Sequence, residues 1–372
     1  MKVALFIDKF NDWYGGADFI LLLMHGLKRS NVEYEIFIHN NREGLIGSFK
    51  NWLLGRTSRY EITQFILDNL PKDDKPFFFN TNDELQNLVS QHHIKILFPV
   101  FDSDISTTAR KIGYIYDFQH KYFPDFFTKE DINSRDIQFK KTINACDYVI
   151  VNADTVKKDI ISFLGERFAK KVKVLPFAAK ELPTKTKVSL ERNRYFLVCN
   201  QFWKHKDHLT ALRAFREFIA IDEFKDYSLY LTGVPKDYRG NDHIEEIHML
   251  ISEINSSSER VFLTGFLDTE ELNHLISNAK AVLQPTLFEG GRGGGAGPLA
   301  LSLGTPCILS DINVNLELKG QYGTIFHTAA NFNDLKDKLI FVDAYNYDYN
   351  RIANEVQLSS NKLSKFLNTI LE

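Results

Sequence analysis

Short apolar runs recur along this chain, separated by longer stretches in which apolar residues return at helical spacing. In the first half, residues 3–7, 35–38, 94–99, 112–116, 148–152 and 172–176 read as strands. Between the first two, residues 17–30 set Phe19, Leu22, Leu23 and Leu27 on one helical face, which predicts a helix packed on the sheet. Residues 180–194 are rich in Lys, Thr and Glu and lack apolar periodicity, so they read as an interdomain linker. The pattern then restarts, with strands expected at 195–199, 228–232, 261–264, 281–284, 307–309 and 324–326. Between them lie helices such as 207–220, with Leu212, Phe215 and Ile219 on one face and Asp207 as its N-cap. Strand and helix in alternation build parallel sheets. The expected fold class is therefore α/β, with two doubly wound Rossmann-like domains facing across a cleft. Residues 1–190 form the first and 191–355 the second, and a final helix at about 356–372 packs back on the first. Ligands of such sheets bind in the loops beyond the carboxyl ends of the strands.

Length and composition agree with two globular domains: 372 residues, 44% apolar and 25% charged. A formal net charge of −3 argues against a general nucleic-acid binder. Cys146, Cys199 and Cys307 are far apart, without metal-site spacing, and read as thiols in a reducing compartment. The first apolar run ends at Asp8 and Lys9, too short for a secretory signal, and no run approaches the ~20 apolar residues of a membrane span. The expected location is the cytoplasm. Residues 48–60 place Phe49, Trp52, Leu53 and Leu54 among Lys50, Arg56 and Arg59. Peripheral contact with the inner membrane face and a helical excursion packed on the first domain are both open readings of this stretch.

Chemistry concentrates between residues 284 and 311. An apolar strand ends at Gln284–Pro285, Glu289 follows, and Gly290, Gly291, Gly293, Gly294, Gly295 and Gly297 surround Arg292. A helical run then ends at Gly304, a natural C-cap. Strand, glycine loop and helix is a phosphate-binding arrangement, because glycine lets backbone N–H groups approach an anion and the helix dipole favours it. Arg292 adds a cation that could pair with phosphate. A flexible linker is the alternative, although these glycines lie between two apolar elements rather than between domains.

Four further segments end strands at the expected ligand edge. Asn200-Gln201-Phe202-Trp203-Lys204-His205-Lys206 leads into the helix capped by Asp207, and lysines there oppose the helix dipole unless an anion is bound. Gly265-Phe266-Leu267 is a common strand-to-helix turn. Gly15 and Gly16 follow the first strand without dinucleotide-binding glycine spacing, so a nicotinamide enzyme is not supported. Asp117, Gln119 and His120 follow the strand at 112–116. His120 is either a site residue or a satisfied surface histidine, and Arg135 could orient Asp117. Asp102-Ser103-Asp104 has the spelling of an acidic metal motif but lies in the first domain.

Pro285-Thr286, Phe288-Glu289-Gly290, the glycine loop, Gly304-Thr305-Pro306 and Ser310-Asp311 together resemble the donor motif of retaining glycosyltransferases of the GT-B fold, family GT4 (glycosyl transferases group 1). The resemblance is strong over roughly 195–330 and fainter before it. It implies that Glu289 contacts hydroxyls of the donor sugar. The loop N–H groups and Lys206 would meet the diphosphate, with Asn200 and Lys204 beside them. Gly265, Phe266 and Leu267 would touch the base, while Gly15, Gly16 and His120 would face the transferred sugar or acceptor. Two positions depart from the family: Leu299 replaces a second carboxylate expected to hold the ribose, and Gln201 replaces an arginine. The implied function is a metal-independent, retaining transfer, with no cofactor, from a UDP- or GDP-sugar to a glycan or lipid-linked acceptor in envelope polysaccharide synthesis. The alternative is a catalytically degenerate protein that binds a nucleotide sugar or glycan. An epimerase would need a carboxylate–histidine set at the anomeric position, which the sequence does not display.

Overall fold

A computed structural model describes residues 1–10, 14–39, 59–70, 74–101, 105, 107–179, 192–237, 239–240 and 242–371. The readings at 48–58, at 102–104 and over 180–191 fall outside these residues. The chain divides into two compact units, Met1–Lys180 with Ser360–Glu372, and Glu181–Ser359.

In the first unit the strands are β1 (Lys2–Phe6), β2 (Glu33–His39), β3 (Pro76–Phe79), β4 (Ile96–Val100), β5 (Arg110–Tyr114), β6 (Tyr148–Val151) and β7 (Val172–Val174). They form one sheet in the order β3-β2-β1-β4-β5-β6-β7, parallel throughout. The second unit holds β8 (Tyr195–Cys199), β9 (Ser228–Thr232), β10 (Val261–Gly265), β11 (Ala281–Gln284), β12 (Cys307–Ser310) and β13 (Thr324–His327). Their order is β10-β9-β8-β11-β12-β13, again all parallel. Parallel strands covered by helices on both faces are apolar along their length, and β4, β11 and β12 are buried at every position. Twelve of the thirteen strands coincide with expected runs. The exception is β3, an edge strand beginning at Pro76, where a missing N–H is tolerated.

In the first unit, helix Tyr14–Lys28 covers the sheet, and Phe10, Phe19 and Tyr114 pack together, the last two with centroids 4.5 Å apart. Helix Tyr349–Leu371 ends on the same core through Leu363, Leu367 and Leu371. Gly26 leaves room for it, since a Cβ there would lie 2.9 Å from Leu367 Cδ1. The second core is aromatic at its centre, with Phe196, Phe215, Phe218, Phe224 and Tyr227 clustered under helix His208–Ile219. Among the described residues, no helix is long and apolar enough to cross a membrane.

Candidate active site

In the second unit the chain runs outward from β8 through β9 to β10, then returns to lay β11 on the other side of β8. The loops leaving β8 and β11 therefore diverge, and the crevice between such loops is where open α/β sheets take ligands. Three contacts tie the two loops together. Asn200 Nδ2 donates to Gln284 Oε1 at 3.0 Å, Leu287 N donates to His205 O at 2.7 Å, and Lys206 Nζ meets Glu289 Oε1 at 2.7 Å. The Lys206 and Glu289 side chains are only 11% and 9% exposed, so they attract one another with little screening by water.

Local backbone sets each partner. Lys206 ends a 3₁₀ turn, Lys204–Lys206, and the next residue, Asp207, takes left-handed φ +49. Aspartate tolerates that region better than most residues, and here its side chain caps helix His208–Ile219 by accepting from Thr210 N. Beyond β11 the glycine loop folds over Glu289. Gly293 and Gly294 have φ +73 and +61, and Gly294 N donates to Gly291 O. A Cβ on Gly294 would fall 2.8 Å from Glu289 Oε1, so only glycine lets the backbone come this close to the carboxylate. Gly293 N donates at 3.0 Å to Oδ1 of fully buried Asn315, whose Nδ2 donates to Ser310 O. The end of β12 thereby holds the loop from beneath. Gly295 is different: it has helical φ −75 and open space at its Cβ position. Gly290 and Gly291 are half-buried. Helix Ala296–Ser302 ends as expected, with Gly304 at φ +76 and Thr305 N donating to Ala300 O. Leu299 lies half-buried on that helix.

The remaining residues of this group fall as follows. Arg292 is held by an acid, its Nε donating to Glu317 Oε2 at 2.8 Å. Lys204 is exposed, and its N–H donates to Asp237 Oδ2. Gly265, at φ +72, ends β10 and bridges Gly233, whose missing Cβ would sit 2.7 Å from Asn200 O. The ends of β8, β9 and β10 thus converge on the edge that carries Lys206. Phe266 is exposed and Leu267 half-buried beside them. Gln284 Nε2 and Thr286 Oγ1 are buried at the end of β11 with no protein partner among the described residues.

In the first unit, Gly15 and Gly16 lie in the first turn of helix Tyr14–Lys28, Gly15 exposed and Gly16 buried. His120 follows β5 in the short helix Gln119–Tyr122 and is 1% exposed, which removes the reading of a surface histidine. Its Nε2 lies 2.9 Å from Asp136 Oδ1, and Lys121 Nζ meets the other carboxylate oxygen. Burial holds His120 below the ordinary histidine range despite the bond to Asp136. Burial raises Asp136, but hydrogen bonds from Lys121 and His120 outweigh it and its carboxyl is depressed. An ionised Asp136 makes Nε2 the protonated nitrogen, which leaves the buried Nδ1 as an acceptor with no partner among the described residues. Arg135 Nη2 stands 3.5 Å from Asp117 Oδ1, so Arg135 does orient Asp117, which also accepts from Gln119 N. Asp136, Asp237, Asn315 and Glu317 escaped the sequence reading because none belongs to a spaced motif. Among the described residues no three His, Cys, Asp or Glu side chains gather as a metal site would require.

Comparison with known proteins follows the same division. Residues 193–342 match the family model described as Glycosyl transferases group 1. No curated protein matches the chain in sequence. Among solved structures, all of this chain aligns with 96% of the sucrose-phosphate synthase from Thermosynechococcus elongatus, at 12% identity and TM-score 0.63. It aligns equally with 98% of HepE from Anabaena in complex with UDP and glucose, at 14% identity and TM-score 0.62. The lipopolysaccharide outer core galactosyltransferase WaaB gives 15% identity and TM-score 0.59, with 98% of that chain covered. These likenesses show the fold, that of the GT-B enzymes. Residues 193–342 thus carry a glycosyl transferases group 1 domain, within a chain that has the two-sheet GT-B fold over its length.

Proposed function

We propose that the protein moves a hexose from a UDP- or GDP-sugar to a glycan or lipid-linked glycan, with retention at the anomeric carbon and without a metal ion. The observation that carries this reading is the Lys206–Glu289 pair, which bridges the β8 and β11 loops under the glycines at 290–295. Bond breaking places negative charge on the departing diphosphate. A fixed ammonium and backbone N–H groups, held in a site of low water content, stabilise that charge as it develops. Glu289 accepts from hydroxyls of the sugar, and His120 Nδ1 offers a further acceptor toward the sugar or its acceptor. The acceptor oxygen bonds to the anomeric carbon on the face from which the diphosphate leaves, and its proton passes to that diphosphate. Envelope glycan as acceptor, a cytoplasmic location and contact of residues 48–60 with the inner membrane face belong to the same proposal. The relatives that bind UDP and glucose or are named for lipopolysaccharide work support it by analogy.

Incubation with a panel of UDP-, GDP- and TDP-sugars, with and without membrane extract, should release nucleotide from one donor class. Glu289→Ala and Lys206→Ala should each slow the release by about a hundredfold or more, and EDTA should leave it unchanged. Tight nucleotide-sugar binding without release under any of these conditions would establish instead the degenerate binding protein that Leu299 is compatible with.

A further inference from the structure

We propose that Asp237, a buried carboxylate in the loop after β9, is the positioning residue of the donor site: it fixes the turn from which Lys206 reaches Glu289. This rests on the reading of Lys206 as the cation of the donor diphosphate. Asp237 is 2% exposed and belongs to none of the motifs legible in the sequence. Its Oδ2 accepts from Lys204 N at 3.0 Å, which anchors the first residue of the 3₁₀ turn. Its Oδ1 accepts from both the backbone N and the Nε of Arg239, each at 3.1 Å. Arg239 Nη2 then reaches His205 Nδ1 at 3.4 Å, in the middle of the same turn, and the guanidinium lies 5.3 Å over the Trp203 ring just before it. Burial, with Lys206 and Arg239 nearby, keeps the His205 ring neutral, so its Nδ1 can accept from Arg239.

The turn is thus gripped at its start and middle from the Asp237 side, while His205 O takes Leu287 N on the β11 side. Lys206 N closes the turn on Trp203 O at 2.8 Å. A long flexible ammonium side chain reaches a defined point only if its backbone is fixed, and the β8 loop has no regular element of its own beyond this single turn. The cost of a misplaced cation is large, because a shift of about 1 Å at a reacting group can lower rate by about a hundredfold.

The test compares Asp237→Ala, Lys206→Ala and the double variant in the full-length protein, reading donor kcat/KM for nucleotide release, UDP and GDP affinity, and melting temperature. If Asp237 acts through Lys206, Asp237→Ala lowers kcat/KM about tenfold or more. Lys206→Ala lowers it further, and the double variant stays within about threefold of Lys206→Ala alone. Asp237→Asn, which keeps an acceptor for Lys204 N, should recover part of the loss. Losses that multiply in the double variant, or a fall in kcat/KM that only follows the melting temperature, would mean a general structural role and overturn the proposal. Wild-type activity in Asp237→Ala would overturn it as well. Should Asp237→Ala not fold, Asp237→Asn and Arg239→Gln, each alone and with Lys206→Ala, carry the same comparison. A Lys206→Ala protein with unchanged nucleotide affinity and rate would instead sink the donor reading itself, and this inference with it.

Discussion

Alanine substitutions at Gly294 and Gly295 should have opposite consequences, although the two glycines are adjacent and look alike in the sequence. At Gly294 two costs combine. The backbone is at φ +61, and an L-residue there costs roughly 1–2 kcal/mol. The new Cβ would also lie 2.8 Å from Glu289 Oε1 and 2.9 Å from its Cδ. Ordinary contact begins at 3.4 Å, so carboxylate and backbone must separate by about 0.6 Å, the difference between 3.4 and 2.8 Å. Glu289 is not free to swing away, because Lys206 holds it at 2.7 Å in a site only about one tenth exposed. The loop is equally constrained by Gly293 N on buried Asn315. The expected loss is about 2–5 kcal/mol of stability, roughly 4–20 °C in melting temperature for a unit of this size, and about a hundredfold in kcat/KM for nucleotide release. Gly295 has φ −75 and no atom within 4 Å of the Cβ position. Alanine there should add about 0.4–1 kcal/mol of stability by restricting the unfolded chain. Differential scanning fluorimetry and a coupled nucleotide-release assay read both effects. Equal behaviour of the two variants would refute the argument that the loop backbone is shaped around the Glu289 carboxylate.

Three other expectations follow from the same geometry. Lys206→Ala leaves Glu289 nearly buried without its cation and should cost about 3 kcal/mol; adding Glu289→Ala should restore part of that stability though none of the activity, a coupling that thermal melts of the four proteins measure. His208 is buried against Phe202 and burial takes it down to about 3, so the unfolded chain binds its proton first as pH falls. Its contribution is complete above the ordinary pKa near 6.5 and declines below that, by up to about 1.4 kcal/mol per pH unit, until the folded form also titrates near pH 3. Melting temperature should fall between pH 7 and 5, and less so in His208→Phe; equal pH sensitivity of the two proteins would refute this. Gly113→Ala would bring a Cβ within 2.6 Å of Thr142 Cγ2 and 3.0 Å of Cys146 Sγ in the interior of the first unit. Overpacking of about 1–3 kcal/mol should lower the melting temperature while nucleotide affinity, which the proposed donor site assigns to the second unit, stays unchanged.

Much of this architecture is legible in the amino-acid sequence because parallel strands buried on both faces are written as unbroken apolar runs. β11, with Ala281, Val282 and Leu283 between polar neighbours, could hardly be anything else. Glu289, Lys206 and the glycines were legible as types in an order, and the structure adds that Lys206 and Glu289 touch. What stayed hidden depends on tertiary approach. Arg292 is legible as a cation beside the glycines, but its pairing with Glu317, 25 positions later, is not. His120 reads ambiguously until Asp136, on the following helix, is found against its ring. Gly294 and Gly295 cannot be told apart without φ. β3 escaped because its Phe77-Phe78-Phe79 run begins at a proline and sits at a sheet edge, where the apolar pattern is least constrained.

The return of β11 to the side of β8 also governs the order in which the site comes into being. Lys206 and Glu289 are 83 positions apart, and β9, β10 and their helices lie between them in the chain but not in the crevice. During synthesis the β8 loop emerges early and must wait for its partner, whose pairing carries the entropy of closing a long loop. Until β11 arrives, β8 is an uncovered edge of apolar residues, Tyr195 to Val198, open to pairing with another chain. Fragments ending before residue 281 should therefore be insoluble as well as inactive, and the second unit produced by itself has to extend past β11 and β12 to be soluble and to bind nucleotide.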